Sequence, residues 1–146
     1  MRALILGTAL LLSSAVVATE AVADQSTTWP ANAEVYIISP RNGATVKSPV
    51  TVVFGLKGLG IAPAGVKMEN TGHHHLLVDT DPPADLTQPM PATEHILHFG
   101  KGQTEVTLGA DKLPPGKHTL QLIFGDELHI PHSPALLSKK ITITVK

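Results

Sequence analysis

Beyond residue 33 the chain is a series of short apolar bursts, mostly alternating with polar neighbours and separated by turn-forming residues. Val35-Tyr36-Ile37-Ile38 reads as the first strand, closed by Ser39-Pro40-Arg41-Asn42-Gly43. Val50 to Leu56 is rich in β-branched residues and reads as the second. His73 to Thr80, Glu94 to Phe99, Gln103 to Leu108, His118 to Phe124 and Ile141 to Val145 complete the series. The stretches 58–72, 81–93 and 125–138 carry glycine, proline and no period, and read as long loops. No helical period follows residue 33, so about seven short strands predict an all-β fold, an antiparallel immunoglobulin-like β-sandwich. The expected core is Val35, Ile37, Val52, Phe54, Leu76, Val78, Leu120, Leu122 and Ile143.

The third strand breaks the apolar pattern with His73-His74-His75 at its mouth. Successive strand residues face opposite ways, so His73 and His75 share one face while His74 joins Leu76 and Val78 on the other. If sequential strands reverse direction at each turn, His98 and the loop holding Asp126, His129 and His132 arrive at the same end as His73. His118 starts at the opposite end, and His95 lies roughly 10 Å along the strand from His98. The candidate metal ligands are therefore His73, His75, His98, His129, His132 and Asp126. Neutral imidazoles suit copper and zinc, with copper first, and the partner implied is a metal ion. Met68 and Met90 flank the site in sequence; thioethers favour Cu(I), although gap-filling is the commoner use of methionine.

Composition narrows the alternatives. The chain has eight histidines, no cysteine and a net charge of −1, with no run of basic residues. Disulfides and thiolate sites are excluded, and nucleic acid is not an expected partner. Met1-Arg2, an apolar stretch from Ala3 to Ala18, and Ala21-Val22-Ala23 read as a signal peptide cleaved before Asp24. The expected organisation is a signal peptide over 1–23, a flexible lead-in over 24–33 and one domain over 34–146, with no membrane span after cleavage and a periplasmic or secreted location. Catalysis finds little support. Ser133 beside His132 does not make a nucleophile–base pair, no GxSxG elbow is present, and Asp79, Asp81 and Asp85 read as solvated loop acids.

The stretches GLGIAPAGV, NTGHHHLLVDTD, HFGKGQTEVTL, LPPGKHTLQL and GDELHIPHSP together resemble a family of small exported bacterial proteins known only as a domain of unknown function. Some members are labelled rod-shape-determining proteins, which implies a polytopic membrane protein and does not suit this sequence. The family usually reads GMG where this chain has Gly58-Leu59-Gly60, and often has a further histidine where Glu127 or Leu128 stands. The resemblance implies export and supplies no activity. Two functions follow: a metal carrier or sensor using copper or zinc, and, as the alternative, a non-enzymatic immunoglobulin-like interaction module with an envelope protein as partner.

Overall fold

The computed structural model describes residues 29–146; the expected signal peptide over 1–23 and residues 24–28 of the expected lead-in lie outside the described residues. Among the described residues every regular element is a strand. They are β1 (Glu34–Ser39), β2 (Thr45–Val46), β3 (Val50–Lys57), β4 (Gly60–Ile61), β5 (Thr71–Val78), β6 (Ile96–His98), β7 (Glu105–Leu108), β8 (Gly116–Gly125) and β9 (Ile141–Val145). None is a helix long and apolar enough to cross a membrane.

The smaller sheet runs β1-β3-β7 and the larger runs β2-β9-β8-β5, with β4 and β6 sharing the free edge of β5. All seven expected strands are present. The two additions, β2 and β4, are two-residue strands that pair in parallel with β9 and β5. The larger sheet is therefore mixed, while the smaller is wholly antiparallel. A strand of two residues has no period of its own, and tertiary pairing alone creates it.

Alternating side chains of both sheets meet in one core. Val35, Val52, Phe54, Leu76, Val78, Leu120, Leu122 and Ile143 are buried there and Ile37 packs against it, which accounts for the whole expected core. Truncating one of the buried leucines to alanine costs about 2–5 kcal/mol by lost transfer energy and cavity formation.

Strand β5 differs from its neighbours. It is buried from Gly72 to Val78 on both faces, whereas an antiparallel strand at the surface of a sandwich normally keeps one face wet. The covering comes from two of the long loops. Leu86 and Met90 from one, and Leu137 from the other, pack with Leu77, Ile96 and Ile123 into a second, smaller core on the outer face of the sheet. The loops also bind each other, since the Met90 amide donates to the His129 carbonyl at 2.8 Å. Loop 126–138 is fastened along the far half of β8, where Leu122 donates to Ser138 Oγ at 2.8 Å and Phe124 to the Leu136 carbonyl at 3.0 Å.

Candidate metal centre

The covered outer face is where the imidazoles collect. Strand alternation puts His73, His75 and Leu77 on this face, and turns His74 inward against Phe54 and Phe124, with ring centroids at 5.1 and 5.3 Å. His98 comes from β6, whose antiparallel register sets it directly opposite His75 and so on the same face. On the other side of β5, His73 stands opposite Gly125. A Cβ at Gly125 would lie 3.0 Å from His75 Cε1 and 3.2 Å from the His129 carbonyl carbon, so the absent side chain makes room for the His75 ring and the His129 backbone. Gly100 does the same for His98, because a Cβ there would run into the His98 ring. Strand-end glycines beside histidines were the available sequence signal for this close approach.

His129 completes the group from loop 126–138. Its ring stacks on His98 with centroids 4.7 Å apart and meets His73 edge-on at 5.0 Å. One ligand nitrogen from each of His73, His98 and His129 lies within 4.8 Å of the others, the spacing of a set that can share one metal ion. The Nε2 atoms of His73 and His98 are 3.1 Å apart. His75 stands behind the three, its ring centroid 4.9 Å from His73, 5.2 Å from His98 and 5.9 Å from His129. Access is graded: His73 and His75 are closed off, His129 is half-buried and His98 is exposed.

Buried imidazoles normally satisfy both ring nitrogens. Here Nδ1 of His73 and both nitrogens of His75 have no hydrogen-bond partner. Burial, reinforced by the neighbouring histidines, lowers the His73 pKa to about 4 even though the Asp126 carboxylate pulls it upward. Burial likewise lowers His75 to about 3, with His73, His98 and His129 adding to the effect. His98 is lowered by burial and by His129. At neutral pH these three rings are uncharged and offer lone pairs, the form a late transition metal requires.

Asp126 and His132 lie in the same loop but form a pair of their own. His132 Nε2 is 2.9 Å from Asp126 Oδ2, and Asp126 Oδ1 accepts the amides of Leu128 and Ile130 at 2.8 and 2.9 Å. Trp29, within the expected lead-in, closes over the pair. Its ring meets His132 edge-on at 5.0 Å and its Nε1 donates to the Pro131 carbonyl at 2.8 Å.

The remaining histidines are engaged elsewhere. His95 Nδ1 donates to the Val78 carbonyl at 3.0 Å. His118 donates from Nδ1 to Asp79 Oδ2 at 2.7 Å and from Nε2 to the Pro114 carbonyl at 2.6 Å. A neutral imidazole has one N–H, so two acceptors call for the imidazolium. Burial alone would lower the His118 pKa, but the hydrogen bonds and charge of its partners raise it overall. Of the two methionines, Met68 is exposed and Met90 is buried in the smaller core.

Fold and site together define an all-β sandwich with a covered histidine cluster, suited to metal, on the outer face of one sheet. The chain belongs to a family described as a domain of unknown function, DUF4399, which matches residues 52–146 and so takes in all four clustered histidines. Among solved structures it is similar to the endo-beta-1,4-mannanase from Thermotoga petrophila, at 18% identity and a TM-score of 0.44. That match covers 78% of this chain and 20% of the mannanase chain. No curated protein matches the chain.

Proposed function

We propose that this protein binds a late transition-metal ion, copper first and zinc next, and serves outside the cytoplasm as a metal carrier or sensor. His73, His98 and His129 supply the ligands and His75 supplies a fourth imidazole at close range. The observation that carries the reading is the convergence of one nitrogen each from His73, His98 and His129 within 4.8 Å, beside a buried His75 whose ring nitrogens have no partner. Leaving a buried nitrogen unpaired costs about 1–3 kcal/mol, and a metal bond relieves that cost at one nitrogen of a ring. An all-nitrogen set without thiolate suits Cu(II) and Zn(II), and the exposed His98 edge gives an ion a way in and out. Export rests on the N-terminal signal pattern, and a periplasmic or secreted protein meets metal ions before any cytoplasmic store does.

Titration calorimetry of metal-stripped protein with Cu(II) and Zn(II) tests the proposal. The expected outcome is one site of micromolar affinity or better, lost in the His73→Ala/His75→Ala double variant and kept in His118→Ala. Saturation at about a hundred times Kd would stabilise the fold by roughly 2.7 kcal/mol. Affinity weaker than millimolar would sink the proposal and leave the envelope interaction module as the better reading.

A further inference from the structure

The metal-binding reading leaves one charged group of the loop without a role. Asp126 sits against the cluster, its side chain only 13% exposed, and its charge reaches His73. Both carboxylate oxygens are committed elsewhere. Oδ1 accepts from Leu128 and Ile130, the residues on either side of His129, at 2.8 and 2.9 Å. Oδ2 faces His132 at 2.9 Å. The backbone closes the same turn, with the His129 amide donating to the Asp126 carbonyl at 3.0 Å and the Asp126 amide to the Ile130 carbonyl at 3.1 Å.

Inside this turn His129 has φ 70°, a left-handed conformation that a residue with a side chain adopts only when its surroundings hold it there. His132 has φ 68° and is clamped in turn between Asp126 and the Trp29 ring. Two left-handed histidines three residues apart in one loop, one aimed at the cluster and one at the carboxylate, describe a brace. A carboxylate serving as a ligand would have to give up the His132 contact or the two amides.

We infer that Asp126 is a positioning residue of the metal site: it holds the turn that presents His129 to His73 and His98, and it does not bind the metal itself. The inference rests on the metal-binding reading above. The Asp126–His132 pair then orients a ligand from behind, as carboxylates commonly do for metal-bound imidazoles, but through the peptide groups instead of the ring.

The two roles separate on substitution. Asparagine at this position keeps an oxygen for the Leu128 and Ile130 amides and can donate to the His132 ring from Nδ2. Alanine keeps neither. Cu(II) titration, with the number of coordinated imidazole nitrogens read by electron paramagnetic resonance, is made on wild type, Asp126→Asn, Asp126→Ala, His129→Ala and Asp126→Ala/His129→Ala. The expected results are an Asp126→Asn affinity within about threefold of wild type, and about a 10–100-fold loss with one fewer nitrogen in Asp126→Ala. The double variant should bind no more weakly than His129→Ala alone, because Asp126 acts only through His129.

An Asp126→Asn loss as large as that of Asp126→Ala, or a double variant weaker than both singles, would overturn the inference and make Asp126 a ligand. If Asp126→Ala does not fold, Asp126→Asn decides alone, a loss beyond tenfold counting against the brace. Wild type that binds neither Cu(II) nor Zn(II) overturns the metal reading, and this inference with it. Wild type that binds while the variants behave otherwise overturns this inference only.

Discussion

His74 gives the sharpest energetic test, because it lies in the main core and not in the metal site. It is 1% exposed, packed against Phe54 and Phe124, and neither ring nitrogen makes a well-formed hydrogen bond. Burial lowers its pKa from 6.5 to about 4, and a marginal contact with the Gln103 backbone, too poorly formed to satisfy the ring, offsets part of that shift. As pH falls below 6.5 the unfolded chain takes up this proton before the folded one does, so folding stability is lost between 6.5 and about 4. At about pH 5 the loss is about 1.5 units at 1.36 kcal/mol per unit, or roughly 2 kcal/mol from this side chain.

Leucine fills a similar volume without polar atoms. His74→Leu should stabilise metal-free protein by about 1–3 kcal/mol near neutral pH, through removal of an unsatisfied buried group. The gain should grow by roughly a further 2 kcal/mol at about pH 5. With a urea m-value of about 1–3 kcal/mol/M, the extra gain moves the unfolding midpoint by about 1 M, which circular dichroism resolves easily. A gain that does not change between the two pH values would refute the assignment of a depressed His74 pKa. A less stable variant at both would mean that the ring has a partner it would be costly to lose. Metal affinity should not change, because His74 points away from the cluster.

Metal affinity should fall as pH falls, while His73 and His75 stay free of protons through about pH 5, because these rings take protons only near 4 and 3; histidine NMR titration of the metal-free protein at stepped pH checks this, and protonation of either ring already at about pH 6 would contradict it. Gly125→Val should cost about 1–3 kcal/mol and weaken metal binding, since a Cβ there stands 3.0 Å from His75 Cε1 and 3.3 Å from His129 Cα; denaturant unfolding and calorimetry read the two effects separately. His118→Ala should lower stability by about 1–3 kcal/mol near pH 6 without touching metal affinity. Because the folded His118 pKa is raised above 6.5, that penalty should be full below 6.5 and fade as pH rises through the folded value, as urea unfolding at stepped pH will show.

Strand identity and strand direction were written in the sequence. β-Branched alternation and proline–glycine turns marked the long strands, and face alternation placed His73 and His75 together with His74 opposite them. Chain reversal was enough to bring His98 and the loop from Asp126 to His132 to the same end, and to send His118 away. These are consequences of a period of two and a reversing chain, which are local properties. The short parallel strands β2 and β4 had no such local signal.

Only the tertiary structure decided which candidates meet. A ring's partners depend on loop paths and on φ values that no residue spacing encodes. His129 turns into the cluster through a left-handed turn, while His132, three residues on, turns to Asp126. Burial was equally invisible. The two loops that cover β5 show no hydrophobic period, yet they seal His73 and His75 from water and move their pKa values by two units or more. Desolvation is a property of everything packed around a group, so it arises when the fold closes and is absent from the run of three histidines itself.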